Sequence, residues 1–303
     1  MSSSSSCISL ASLYEGYIRR CFSGAGLSNK TVEIDGGETT MEYWGPTKET
    51  GSKPALVLIH GFGPETIWQW RRQATAFSRD YDIYAPNLVF FGDSTTKSAQ
   101  RSEIFQAECV VKLMETLNVE KFNVMGTSYG GFVAYRIALK WPEKVEKVII
   151  ASSGINMRLR DNLDMVQRAK VEGVEDVLLP TNLPHMKISF SLISASKSHI
   201  PDFILKDMLK RLFSHNRNSK IELLQGLTIG KDDKVNVSPL QQDVLLVWGE
   251  QDRIFFLENA NELKELLGEK TRLEVIKNTG HIPQIESPDT FNNIVRKFLS
   301  GAT

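Results

Sequence analysis

The chain has little of what would tie it to a disulfide framework or a metal. Its 303 residues include three cysteines, Cys7, Cys21 and Cys109, and their spacing matches neither a set of disulfides nor a zinc site. We therefore expect a reducing compartment in which the thiols act as small buried hydrophobic groups. No metal and no cofactor are expected.

An excess of charge of either sign is also missing. Lys and Arg number 36, and Asp and Glu number 36. This balance gives no electrostatic reason for nucleic acid or an anionic membrane as the primary partner. No apolar run reaches the roughly 18 residues that a membrane span needs. We expect no integral membrane segment and a small-molecule substrate, while the oligomeric state stays open.

The N-terminus allows two interpretations. Met1 is followed by five serines, and Arg19 and Arg20 come later, a composition that also suits an organellar transit peptide. However, Glu15 is acidic, and residues 9–22 alternate apolar and polar side chains as a short surface helix does. We favour the helix, within an N-terminal segment of residues 1–27, and a cytoplasmic location.

Short apolar and β-branched runs alternate with amphipathic patterns, which is typical of an α/β protein with a mostly parallel sheet. The strand predictions cover residues 31–34, 40–44, 55–59, 81–85, 122–125, 145–151, 244–248 and 273–276. Asp35-Gly36-Gly37 predicts a hairpin between the first two strands, and Pro86 is expected to stop the fourth. Helical patterns alone occupy residues 155–238. We predict an inserted helical cap there, with a core of residues 28–154 and 239–303.

Ser128 lies in Gly126-Thr127-Ser128-Tyr129-Gly130, between a predicted strand and a predicted helix. The pentapeptide alone is weak evidence, because it arises easily by chance. Its position, however, is that of a nucleophile elbow, where a tight turn projects the serine and requires glycine on either side.

A serine nucleophile needs a base and an acid that orients the base. Asp252 follows the strand at 244–248, and His281 follows the strand at 273–276, so the chain order is serine, aspartate, histidine. Asp93 and Glu250 are rival acids, since each also follows a strand. Asp252 is favoured by its spacing, and a turn or cap role is favoured for Asp93.

The oxyanion of a tetrahedral intermediate needs two N–H donors. We expect the amide of Phe62, in the glycine-rich loop after the third strand, and the amide of Tyr129, at a helix N-terminus. His60 is expected to support the loop and is left out of the catalytic set.

These motifs together resemble the α/β-hydrolase fold superfamily, from about residue 53 to the C-terminus outside the cap. They are His60-Gly61-Phe62-Gly63, Gly126-Thr127-Ser128-Tyr129-Gly130, Gly249-Glu250-Gln251-Asp252 and Gly280-His281. The resemblance implies an eight-stranded, mostly parallel sheet flanked by helices, an inserted helical cap and a Ser-His-Asp triad.

Within that superfamily, Trp68-Gln69-Trp70 and the segment 280–288 are similar to plant esterase-like members and monoacylglycerol lipases. His60-Gly61-Phe62-Gly63-Pro64 also resembles the opening motif of bacterial hydrolases that cleave carbon-carbon bonds in ring-fission products. In those the next residue is usually glycine, whereas here it is Glu65. Epoxide hydrolases and haloalkane dehalogenases use an aspartate nucleophile, which Ser128 argues against.

We expect a cofactor-independent serine hydrolase that cleaves a small to medium, largely apolar carboxylic ester through an acyl-enzyme. Two alternatives stay open: a carbon-carbon bond hydrolase or lyase of specialised metabolism, and a small-molecule receptor that keeps the triad but turns over slowly. The apolar side chains of the cap either line a substrate pocket or form the cap's own core. They are Met157, Met165, Met186, Phe190, Leu192, Ile193, Phe203, Met208 and Phe213.

Overall fold

The computed structural model describes residues 9–48, 51–196 and 200–301, so Cys7 and the serine-rich start lie outside the described residues. The strands are β1 (Leu27–Ile34), β2 (Thr39–Pro46), β3 (Ala55–Ile59), β4 (Asp82–Pro86), β5 (Thr95–Thr96), β6 (Phe122–Thr127), β7 (Val145–Ala151), β8 (Asp243–Gly249) and β9 (Thr271–Ile276). The helices are α1 (Leu10–Gly24), α2 (Thr66–Phe77), α3 (Glu103–Thr116), α4 (Tyr129–Lys140), α5 (Leu159–Ala169), α6 (Val174–Leu178), α7 (Leu183–Ile193), α8 (Asp202–Phe213), α9 (Arg217–Gln225), α10 (Leu257–Leu267), α11 (Pro283–Glu286) and α12 (Pro288–Ser300).

The strands form one sheet in the order β1-β2-β4-β3-β6-β7-β8-β9. β1 and β2 form the antiparallel hairpin that the turn residues predict, and β4 joins β2 antiparallel. From β4 to β9 every pairing is parallel. The predicted α/β-hydrolase sheet of eight strands is thus confirmed. Two details differ, because a two-residue strand, β5, also pairs with β2, and β4 includes Pro86, opposite Tyr43.

The side chains of the central strands point alternately to the two faces of the sheet, so the core has two layers. In β3, Leu56 and Leu58 pack with α1, α2 and α12 on one face of the sheet, whereas Val57 and Ile59 pack with α3, α4 and α10 on the other. Successive side chains of a strand point to opposite faces, so a strand buried on both sides is apolar throughout. Burying each such side chain contributes about 1.5 to 3 kcal/mol.

Helices α5 to α9 lie in the chain between β7 and β8. Met165 and Leu192 form a small apolar cluster there with Ile254 from the loop after β8. Met157 packs against the main core, and Phe203 is 63% exposed. The apolar residues of this segment therefore do not share one role. Among the described residues, no helix is long and apolar enough to cross a bilayer.

Candidate active site

Ser128 sits in a strained turn between β6 and α4, with φ 53° and ψ −120°. Positive φ is costly for a residue with a side chain, and it persists only where the surroundings enforce it. A Cβ on Gly126 would lie 2.1 Å from the carbonyl oxygen of Gly130, and a Cβ on Gly130 would lie 2.2 Å from that of Ile59. Both glycines are therefore needed for the backbone to turn this sharply against β3.

Ser128, His281 and Asp252 form one chain of hydrogen bonds. The Ser128 Oγ lies 2.9 Å from His281 Nε2, and His281 Nδ1 lies 2.9 Å from Asp252 Oδ2. Asp252 Oδ1 accepts the backbone N–H groups of Ile254 at 2.8 Å and Phe255 at 3.1 Å. Because a carboxylate only accepts, it holds the imidazole proton on Nδ1 and leaves Nε2 free to accept from the serine.

The rival acids lie elsewhere. The side chain of Asp93 is exposed, and its backbone N–H donates to Glu42 at 2.8 Å. Glu250 is also exposed and accepts the backbone N–H of Asn278 at 3.1 Å. Neither carboxylate bonds to His281, whereas the Asp252 side chain is fully buried against it. Of the three acids considered from the sequence, the structure brings only Asp252 to the histidine.

The loop that carries His281 is held by a close backbone contact. A Cβ on Gly280 would lie 2.8 Å from the carbonyl oxygen of Ile193, and the His281 N–H donates to the same oxygen at 2.9 Å. Glu286 strengthens this junction, because its carboxylate accepts the N–H groups of Gly280 and, at 2.9 Å, of Ala195. Glycine is therefore required before His281, because a side chain at that position would clash with the end of α7.

The amides of Phe62 and Tyr129 are free to receive a ligand. Within the described residues, neither backbone N–H has a hydrogen-bond partner. Tyr129 is the first residue of α4, where no carbonyl of the helix is within reach of the N–H. Gln69 fixes the loop before Phe62, since its side chain accepts the Gly61 N–H at 2.8 Å and donates to the Gly61 carbonyl at 3.1 Å.

Sequence reasoning missed the role of Gln69. It noted the surrounding Trp68-Gln69-Trp70 only as a resemblance. A buried glutamine in the first turns of a helix is the one signal that would have indicated it, because a buried amide must find partners.

His60 is fully buried and fixed by two hydrogen bonds. Its Nδ1 donates to the Gly61 carbonyl at 2.8 Å, and its Nε2 accepts the Leu88 N–H at 3.0 Å. Burial lowers the pKa of His60 from 6.5 to about 4. A neutral histidine with both nitrogens in use supports the loop and has no lone pair left for substrate.

Two cavities meet at Ser128. The smaller cavity, of about 260 Å³, extends past Tyr129 under the cap to Met157 and Met165. The larger cavity, of about 430 Å³, extends past His281 to α1. Leu178 and Ile254 line both, beside the serine. A substrate that reacts at Ser128 can therefore extend in two directions.

Both cavities are mainly apolar. Among the described residues that line them, Lys231 is the only Lys or Arg, and its side chain is exposed. Asn162 and Gln225 add amide groups to the smaller cavity. The buried Tyr129 phenol has no hydrogen-bond partner in the part of the chain that the structure describes. Burial raises the pKa of this phenol, so it stays neutral. The lining thus suits an uncharged substrate.

Comparison with known proteins connects this geometry to a family. The model of the α/β-hydrolase fold matches residues 54–288. The chain belongs to the α/β-hydrolase fold family. It is a hydrolase of this fold. Over 264 aligned residues, 2-hydroxymuconate semialdehyde hydrolase of Pseudomonas sp. (strain CF600) is 25% identical to it, and the match covers 84% of this chain and 89% of the relative.

Two solved structures of bacterial proteins share the fold. A membrane phospholipase A described as a virulence factor gives a TM-score of 0.77 at 22% identity, over 96% of this chain and 91% of its own. A meta-cleavage product hydrolase from Pseudomonas fluorescens IP01 gives a TM-score of 0.74 at 21% identity, over 90% of this chain and 98% of its own. None of these three similar proteins is a plant esterase or a monoacylglycerol lipase, so that finer resemblance is not confirmed.

Proposed function

We propose that this protein is a serine hydrolase that cleaves a largely apolar carboxylic ester through an acyl-enzyme, with Ser128 as the nucleophile. The hydrogen-bonded chain from Ser128 through His281 to Asp252, at the junction of two apolar cavities, is the observation that carries the proposal. Serine alone is a poor nucleophile, and this arrangement supplies the base that it needs.

In the proposed reaction, His281 Nε2 takes the proton of Ser128 as Oγ attacks the ester carbonyl carbon. The new oxyanion accepts hydrogen bonds from the amides of Phe62 and Tyr129. Asp252 stabilises the imidazolium, which then gives its proton to the departing alkoxide. Water enters, loses a proton to His281, attacks the acyl group and releases the acid, and Ser128 regains its proton.

The leaving alcohol must receive its proton from His281, so it has to lie on the histidine side of the serine. His281 lines the larger cavity and is absent from the lining of the smaller one. We therefore assign the alcohol part of the ester to the larger cavity. The acyl part then extends over Tyr129 into the smaller cavity, towards Met157 and Met165.

Carbon-carbon bond hydrolysis is the second candidate, because one relative is named a 2-hydroxymuconate semialdehyde hydrolase and one protein of the same fold a meta-cleavage product hydrolase. A muconate derivative carries a carboxylate, and a carboxylate needs a cationic or strongly donating partner when it leaves water. The exposed Lys231 is the one cation in the described lining. The ester is therefore favoured over an anionic dienoate.

The test compares p-nitrophenyl esters from acetate to long acyl chains with wild-type protein and Ser128→Ala. We expect kcat of the variant to fall by about 10⁶. A variant that keeps more than about a tenth of the activity would rule out Ser128 as the nucleophile. Parallel assays use a muconate-type semialdehyde with wild type and Lys231→Met. Turnover of the semialdehyde without ester turnover would establish the second candidate, and a rise of KM in Lys231→Met would identify its carboxylate partner.

A further inference from the structure

Helix α1 carries two apolar stripes where a docked surface helix normally carries one. One stripe faces the core, where Ala11, Ile18 and Phe22 are buried together with the ion-paired Glu15. The other faces solvent, and its four side chains are between 45% and 59% exposed: Leu10, Leu13, Tyr14 and Tyr17. Their spacing of three, one and three residues places them along one side of the helix. We call these four residues the exposed stripe.

Further apolar side chains continue the exposed stripe on neighbouring elements. Tyr14 packs on Trp68 of α2, with ring centroids 5.6 Å apart. The start of α1 also contacts α8, where Asp207 accepts the backbone N–H of Ala11 at 2.7 Å, and α8 carries a further exposed apolar side chain, Phe203, at 63%. An exposed apolar surface of this kind on a folded protein normally marks a contact with a partner or a lipid phase.

The exposed stripe borders the larger cavity. Leu10 and Tyr14 line that cavity while remaining 45% exposed, and so does Ile285 of α11 at 42%. The same cavity is lined at its inner end by Ser128 and His281. One mainly apolar lining therefore joins partly exposed residues of the stripe to the serine.

We propose that the exposed stripe docks the protein on the surface of a lipid bilayer, so that a lipid ester enters the larger cavity directly from the lipid phase. The substrate part of this proposal rests on the ester hydrolase function proposed above. A lipid surface fits the position better than a protein does, because a protein bound over the exposed stripe would close the entrance, whereas a bilayer supplies the substrate there.

The composition of the surface agrees with this occupant. Tyrosine and tryptophan, here Tyr14, Tyr17 and Trp68, are the residues that favour the boundary between lipid and water. The four side chains of the exposed stripe are uncharged, although Arg71 lies over the ring of Tyr17, so we expect apolar burial to contribute more to the docking than attraction to anionic lipid. Binding should therefore occur on zwitterionic lipid and change little with salt.

The test is flotation of the full-length protein with phosphatidylcholine vesicles at low and high salt. The variant is Leu13→Gln/Tyr17→Gln, because neither residue lines the cavity. The matched control is Leu163→Gln, since Leu163 on α5 is 60% exposed, as Leu13 is 59% exposed, but lies outside both cavity linings. We expect the double variant to float at least about tenfold less, with the control unchanged.

Hydrolysis of a soluble short-chain p-nitrophenyl ester, measured on the same proteins, separates this proposal from the proposed function. We expect equal kcat/KM for all three proteins on that ester, and a lower rate for the double variant only on ester embedded in vesicles. Turnover of the soluble ester without flotation would overturn the docking and leave the hydrolase. Flotation without any ester turnover would keep the docking and overturn the hydrolase.

Two other results would also overturn the docking on lipid. In one, Leu163→Gln loses as much flotation as the double variant. In the other, light scattering finds a dimer that the double variant converts to a monomer while wild type does not float, so that a second copy covers the exposed stripe.

Discussion

Replacing Asp252 by Asn tests the proposed catalytic chain at a position that touches no substrate. An Asn can keep an oxygen towards the N–H groups of Ile254 and Phe255, which Asp252 Oδ1 accepts in the wild type. Its nitrogen then faces His281 Nδ1 and can only donate. The imidazole has to accept at Nδ1, so its proton moves to Nε2, the atom that should take the proton of Ser128.

The expected loss is about 10⁴ in kcat, which corresponds to about 5.5 kcal/mol of transition-state stabilisation. KM should change little, because Asp252 lines neither cavity. Two backbone hydrogen bonds change from a charged to a neutral acceptor, each weaker by about 1 kcal/mol. We therefore expect the free energy of unfolding to fall by about 2 kcal/mol and the variant to stay folded.

The assay is steady-state hydrolysis of a p-nitrophenyl ester, with urea unfolding of each protein alongside. Asp93→Asn and Glu250→Gln are matched controls, since both rival acids are exposed and lack a bond to His281. Both controls should keep wild-type kcat. A folded Asp252→Asn protein with more than about a tenth of that kcat, or an equal loss in Glu250→Gln, would refute the assignment.

Three further expectations concern stability and specificity. The pKa of His60 is about 4 in the fold against 6.5 as its ordinary value, so its stabilising effect is present above pH 6.5 and is lost as the pH falls to 4. Over that range, the unfolding free energy of wild type should drop by about 3 kcal/mol more than that of His60→Gln, and equal drops in urea titrations would contradict this. Gly130→Ala should lose at least about 3 kcal/mol, because its Cβ would meet a backbone oxygen of β3 at 2.2 Å. Gly16→Ala, with open space around it inside α1, should gain about 0.5 to 1 kcal/mol, and thermal unfolding distinguishes the two. Val174→Phe, in the smaller cavity, should shorten the preferred acyl chain, whereas Ile204→Phe, in the larger one, should change only the preferred alcohol. The opposite result in an ester panel would reverse the assignment of the cavities.

Local pattern predicted the sheet well, and its failures have non-local causes. Leu56 to Ile59 could be recognised as a buried strand because every residue is apolar. β5 could not, since its two residues give no period. Its position is fixed from outside: the Ser94 Oγ, next to β5, accepts the backbone N–H of Glu42 at 2.9 Å. Pairing of this kind depends on contacts between residues far apart in the chain.

The residues of the candidate site also fall into those that the sequence pattern could indicate and those that only the folded structure reveals. Ser128, Asp252 and His281 could be proposed from the sequence because each follows a strand, and parallel strands bring their carboxyl ends to one edge of a sheet. Gln69 and Glu286 do not follow strands and act by holding loops, so no spacing rule points to them. The cavities were least predictable, because Leu10 and Ile285, from opposite ends of the chain, line the same one.

Helix α1 shows why spacing alone does not decide function. Leu10, Leu13, Tyr14 and Tyr17 have the spacing by which a helix usually docks on a core. In this protein, the core takes the other stripe, because Ile18 and Phe22 pack against the sheet. The exposure of the stripe follows from the way α1 packs, and the proposed function of the stripe follows from its position beside the larger cavity. Docking on lipid predicts that Leu13→Gln leaves the folding of the protein and the turnover of soluble ester unchanged and lowers the rate of hydrolysis of lipid-embedded ester.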